Sequence, residues 1–222
     1  MNTLSKLAAL AFLGAATALV SPSASQAQIT RQASPMAIDP NHPAPVCCMP
    51  ARRTVVTDGT WVVQPPSGPA HAAAVLSTHP YYHTTLSGSQ WIGNAASDGK
   101  YPGEAGTKFT YTNHFCLCGL PPGVNDMQAS LYLQVFSDNE FKAYLNSPLD
   151  TAHLIGSSAP PGSFNLPATT IPSAPANLFH PGDNTLTFVV TNQASSPTGL
   201  DVAGWISGYF QALPCPHGPP IG

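Results

Sequence analysis

Apolar and polar positions alternate with a period of two through most of the second half of the chain. The clearest case runs from Ala129 to Asn146. Leu131, Leu133 and Val135 alternate with Tyr132, Gln134 and Phe136; after Ser137-Asp138-Asn139-Glu140, Phe141, Ala143 and Leu145 alternate with Lys142, Tyr144 and Asn146. Such alternation describes strands with one buried face, and an Asp-Asn pair between two of them predicts a hairpin. Both residues suit a turn because their short side chains bond nearby backbone and tolerate left-handed conformations. Lys108 to Cys118 repeats the pattern, with Phe109, Tyr111, Phe115 and Leu117 on one face and Thr110, Thr112, His114, Cys116 and Cys118 on the other. After the turn His180-Pro181-Gly182-Asp183-Asn184, Leu186, Phe188 and Val190 alternate with threonines up to Asn192. The last strand, Leu200 to Leu213, opposes Val202, Ile206 and Phe210 to Trp205 and Tyr209.

Weaker strand signals come earlier: Arg52 to Val63, broken at Asp58-Gly59, then Ala72 to Leu76 and Gln90 to Asn94. Between the strands lie a proline-rich loop (Gln64 to Ala70), an aromatic loop (His79 to Thr85) and a long loop with several prolines (Thr151 to Ala176). No helical period appears after the N-terminal segment, and no repeat of fixed length. Short strands joined by long turn-rich loops predict an all-β, mostly antiparallel β-sandwich.

Met1 to Ala27 reads as a secretory signal peptide: Lys6, an apolar run from Leu7 to Val20, and the small-x-small site Ser25-Gln26-Ala27. The run is short for a bilayer span, which needs about 20 apolar residues, and no later stretch is long and apolar enough for one. The expected organisation is a signal peptide over 1–27, an irregular proline-rich lead-in over 28–50, the sandwich over 51–214 and an irregular tail over 215–222. Only 8% of residues are charged, against about 25% in an average soluble protein. With 25 prolines and 18 glycines, this composition suits an exported β-protein, in the periplasm or outside the cell. The net charge of −3 becomes one unit more negative once Lys6 is cleaved away, and Arg52-Arg53 is the longest basic run. Nucleic-acid binding therefore lacks its electrostatic footprint.

The second half resembles the galactose-binding-like (jelly-roll) domains of bacterial secreted proteins. The likeness covers roughly Trp91 to Phe210. It rests on Gln90-Trp91-Ile92 before a long loop and the aromatic strand Phe109 to Phe115, then on the hairpin containing Ser137-Asp138-Asn139 and Tyr144-Leu145-Asn146. His180-Pro181-Gly182-Asp183-Asn184-Thr185-Leu186 enters a further strand, and Pro197-Thr198-Gly199-Leu200 leads into the last. Asn139, Asn146 and Asn184 read as turn residues that let backbone groups pair. Ser147-Pro148 departs from the family, which usually has glycine after the asparagine matching Asn146, so the turn there must differ. The resemblance implies a jelly-roll fold and a binding module, often for carbohydrate; it does not fix function.

The five cysteines are Cys47, Cys48, Cys116, Cys118 and Cys215, and export favours their oxidation. In a jelly roll the first and last strands lie antiparallel in one sheet. That expectation allows a bridge from Cys47 or Cys48 to Cys215, with Cys116 or Cys118 taking the other member of the vicinal pair. One cysteine is left over, free or joining two chains. The competing reading is a copper or zinc site on His114, Cys116 and Cys118, with Cys215 and His217 adding ligands; their spacing matches no standard ligand pattern, and disulfides are preferred. No metal or other cofactor is expected. His79 and His83 flank Tyr81-Tyr82, and the scattered histidines read as solvated.

Catalysis has little support. The ten acidic residues include several in turns, Asp58, Asp98, Asp138 and Asp183, with Glu104 and Glu140 the only glutamates. Neither a Gly-x-Ser-x-Gly elbow nor a phosphate-cradling glycine loop occurs. The leading expectation is a secreted, non-catalytic module that binds glycan or another cell-surface component, with Tyr81, Tyr82 and Trp91 as the candidate aromatic faces. Core packing for Trp91 and loop anchoring for Tyr82 are the plainer roles. The alternative is a self-associating structural subunit of a matrix, surface layer or fibre, possessing a cysteine for cross-linking.

Overall fold

A computed structural model describes residues 48–76, 82, 84–98, 103–118, 128–159, 164 and 167–211, with backbone only at 48, 49 and 211. The strands in chain order are β1 (Cys48–Val56), β2 (Val62–Gln64), β3 (His71–Ala72), β4 (Ala74–Val75), β5 (Ile92–Gly93), β6 (Lys108–Leu117), β7 (Ser130–Asp138), β8 (Glu140–Leu145), β9 (Leu154–Ser157), β10 (Thr169–Ile171), β11 (Gly182–Thr191) and β12 (Gly199–Gln211). A 3₁₀ turn at Ala176–Leu178 is the only helical piece among the described residues. None of their helices is long and apolar enough to cross a membrane.

The fold is an all-β sandwich. One layer runs β10-β7-β12, with β1 antiparallel to β12 on its far edge; the other runs β6-β11-β8-β9, with β2 beside β6 and β3 beside β2. β5 touches β12 at Leu200↔Ile92 and carries β4. The layers join at one corner, where Leu117 of β6 pairs with Phe210 of β12. The first and last long strands therefore lie antiparallel in one layer, in register from Cys48↔Gln211 to Val56↔Ala203.

The expected hairpin of Ala129–Asn146 does not form. β7 pairs with β10 and β12, whereas β8 pairs with β9 and β11. The chain crosses from one layer to the other at Asn139. The reason is parity. The apolar stripes Leu131/Leu133/Val135 and Phe141/Ala143/Leu145 all fall on odd positions. A hairpin closed about Asp138-Asn139 pairs odd with even positions and so puts the two stripes on opposite faces of one sheet. Crossing between layers turns both inward, and all six residues are buried in the main core. Trp61, Tyr111, Phe141 and Phe188 fill its centre; burying such a side chain contributes roughly 1.5–3 kcal/mol.

Two strands were not foreseen: β9 and β10 fall inside the stretch expected to be one long loop, Thr151 to Ala176. At four and three residues they are too short to show a period, and they sit at layer edges. A Cβ at Gly156 in β9 would stand 2.7 Å from Ile171 Cγ1 in β10, so glycine lets the layer edges close on each other. Arg52 to Val63 is divided as expected by a turn after Val56, but its halves join different layers, and β1 begins at Cys48, before the expected sandwich boundary.

Asparagine side chains hold the turns. Asn146 adopts the left-handed conformation (φ 64°), donates from Nδ2 to Leu178 O (2.6 Å) and Asn184 Oδ1 (3.0 Å), and accepts from Thr185 N (2.7 Å). Asn184 donates to His180 O (2.7 Å) and Gly182 O (3.0 Å) and accepts from His180 N (3.1 Å). The Ser147-Pro148 bond is cis and β8 stops at Leu145. Asn184→Ala removes these bonds at a buried position, where each unsatisfied backbone group costs about 1–3 kcal/mol. Urea unfolding is expected to show a loss of at least about 2 kcal/mol; an unchanged midpoint would show the network to be idle.

Candidate functional site

Tyr82 and Trp91 come together, but their faces are turned to each other. The rings stack with centroids 4.0 Å apart and 6° between planes, and Trp91 stacks in turn on Phe136 at 6.2 Å. Tyr82 is 5% exposed and Trp91 4%. With Leu76 they form a second apolar cluster outside the main core. Trp91 Nε1 donates to Thr84 O (3.0 Å). The segment through Trp91 covers the outer face of the β7–β12 layer, where Phe136 pairs with Asp201. Neither ring offers an open platform among the described residues; both have the packing role. Tyr81, His79 and His83 lie outside the described residues.

This cover buries carboxylates. Asp138 accepts from Tyr82 Oη (3.0 Å) and from Asn139 Nδ2 (2.7 Å). Burial pushes its pKa up to about 6, against the opposing pull of the Tyr82 hydrogen bond. Burial, and the Asp138 charge after it, push the Tyr82 hydroxyl far above its usual range. Asp201 accepts from Leu86 N (2.9 Å), from Ser89 Oγ and from Thr57 Oγ1 (3.2 Å); burial raises its pKa despite these donors. Asp138 thus ties Tyr82, and Asp201 ties Leu86 and Ser89, onto the sandwich. Tyr111 Oη, in the core, has no partner among the described residues.

Cys116 and Cys118 are both buried and disulfide-bonded. Cys47, Cys215 and His217, and the side chain of Cys48, lie outside the described residues. His114 points away from the core and pairs with Asp183 (Nδ1 to Oδ2, 3.0 Å). Among the described residues no group of three or more metal-ligating side chains converges, and the bonded sulfurs of Cys116 and Cys118 do not fit the thiolate set that the metal reading needed.

An open groove of about 470 Å³ lies at the β2–β3 end. Pro65, Pro66, Pro69 and Phe109 give it apolar walls, and His71, Asn94, Glu104 and Thr107 give it polar ones. The β2–β3 loop is held by Gln64 Nε2, which donates to Pro65 O (3.0 Å) and Gly68 O (2.8 Å). Glu104 is fixed through its carbonyl, which accepts from Thr107 Oγ1 (2.7 Å) and Asn192 Nδ2 (3.2 Å), so its exposed carboxylate stands on a braced turn. Apolar walls with a few fixed polar groups are what small-molecule sites use. Asn94 and Glu104 both come from the connection between β5 and β6 and line the same groove. Neither was singled out as a ligand contact, since each looks like an ordinary polar loop residue.

Elsewhere, Arg52 Cζ lies 4.1 Å over the Trp205 ring, which stacks on Tyr132 at 6.1 Å. The row continues toward Tyr209, 39% exposed. It sits on the outer face of β7–β12–β1. The alternation that placed Trp205 and Tyr209 opposite the core-facing residues of the last strand was the signal for it.

Comparison with protein-family models, with curated proteins and with solved structures gives no match.

The Asp138 site carries a sign that can be measured. Its carboxyl binds a proton more tightly folded than unfolded, so stability rises as pH falls from above 6 toward 4. Asp201 and Asp98 act in the same direction, and Asp150, whose pKa His153 lowers, acts in the opposite one. Thermal unfolding of Asp138→Asn is expected to gain less between pH 7 and pH 5 than the parent protein does. Parallel curves would mean that Asp138 is not desolvated.

Proposed function

We propose that this protein is a secreted, non-catalytic binding module of the jelly-roll kind whose ligand is a glycan or another cell-surface component. The alternation of β6, β7, β8 between layers, and the pairing of the first long strand with the last, support the jelly-roll reading. The bonded state of Cys116 and Cys118 supports an oxidising destination. The observation that carries the function is the groove between the proline loop, Asn94 and Glu104. An amide, a carboxylate and a hydroxyl beside apolar walls match a ligand that presents hydroxyls on one side and C–H surface on the other. On a glycan array the exported protein should bind a restricted set of saccharides. Asn94→Ala and Glu104→Gln should each weaken that binding about tenfold, the worth of a hydrogen bond to a fixed polar group, without altering unfolding. A featureless array, or binding that ignores both substitutions, would remove this reading.

The outer face bearing Arg52, Trp205, Tyr132 and Tyr209 favours a second reading, a self-associating subunit. Aromatic residues and arginine are the types enriched in protein interfaces. On that reading size-exclusion chromatography shows an oligomer that Trp205→Ala converts to monomer; a monomer at high concentration in the absence of reductant would exclude it.

A further inference from the structure

His71 has hydrogen-bond partners on both ring nitrogens. Nδ1 lies 2.9 Å from the Ala72 carbonyl oxygen, and Nε2 lies 3.0 Å from Asn94 Oδ1. A carbonyl oxygen only accepts, so Nδ1 carries a hydrogen. A neutral imidazole has one N–H, which leaves Nε2 as an acceptor. It must then meet the NH₂ end of the Asn94 amide, and Oδ1 takes the opposite position. Amide oxygen and nitrogen are assigned from such networks. When the ring is protonated both nitrogens donate, and the arrangement with Oδ1 on Nε2 is the satisfied one. Among the described residues the ionisable groups near His71 are Asp98, whose carboxyl feels the imidazole and accepts from Ala95 N (2.8 Å), and Glu104, which lines the same groove.

We propose that His71 decides which end of the Asn94 amide the groove presents, and that with a neutral imidazole the amide and the carboxylate both offer the ligand acceptors, Asn94 Oδ1 and the Glu104 carboxylate. The class of ligand follows, on the glycan reading above: a sugar offering hydroxyl and amine donors. A uronic acid brings its own carboxylate against Glu104 and is disfavoured. Protonation of His71 turns the amide and replaces one acceptor with a donor.

The tautomer is read directly by ¹⁵N NMR of the labelled protein. At pH 8 the Nδ1–H form is expected, and on acidification the Asn94 side-chain NH₂ signals should move together with the His71 ring. In His71→Phe the Asn94 signals should stay put over the same range. An Nε2–H tautomer at pH 8, or Asn94 signals that do not follow His71, would overturn the link. Binding is probed at pH 8 with glucosamine oligomers and galacturonic acid oligomers. The first should bind at least about tenfold more tightly, a difference near 1.4 kcal/mol. Equal binding overturns the ligand class while the glycan reading stands; binding of neither removes both, and the tautomer still decides the role of His71.

Discussion

The arrangement of this protein depends on one constraint: two apolar stripes of the same parity follow each other with a single residue between their strands. Both stripes must leave water, and no hairpin about Asp138-Asn139 can bury both on one side. The chain therefore changes layer at Asn139. That makes β7 and β8 the facing walls of the core and sends each to a different set of partners. Asn139 is suited to the crossing because its side chain bonds in several directions. Nδ2 donates to Asp138 Oδ1, and Oδ1 accepts from Gln193 N, so the crossing is tied to the β11–β12 connection.

β12 completes what the crossing begins. It lies between β7 and β1 for much of its length and meets β6 at its end. Close approach to β7 needs Gly204: a Cβ there would meet Tyr132 O and stand 2.8 Å from Leu133 Cα. The same end of β12 runs beside Cys118, whose N–H donates to Tyr209 O (2.8 Å). The corner where the layers meet is thus also where the bonded cysteines sit.

Much of this was legible in the sequence. Alternation located the long strands from Lys108 to Gln211, and the turn role of Asn139, Asn146 and Asn184 followed from their chemistry. Parity was also there to be read, and the polar turn drew attention from it: Asp-Asn chemistry states that the chain turns, not whether it turns within a sheet or between sheets. β9 and β10 were out of reach because a three- or four-residue edge strand has no period. Tyr82 and Trp91 could not be assigned to cover or to contact from sequence alone, since an aromatic residue in a loop suits either. Their burial depends on Phe136, an outward-facing position that is apolar. That departure from the polar outer face of β7 was the available sign that something packs over it.

The carboxylates divide in the same way. Asp138 accepts from Tyr82 and Asn139, Asp201 accepts from Leu86, Ser89 and Thr57, and burial still raises both above the usual range. Such groups clamp a loop, and their bonding capacity is spent inside the fold. Glu104 is the reverse case, because the bonds around it go to its carbonyl. Its side chain makes none of these bonds, and the exposed residue lines the groove on a hydrogen-bonded turn. A perturbed carboxylate is often a pointer to a functional site. Here the perturbed ones are structural, and the group proposed to bind is an exposed residue on a braced turn, on the groove that His71 and Asn94 also line.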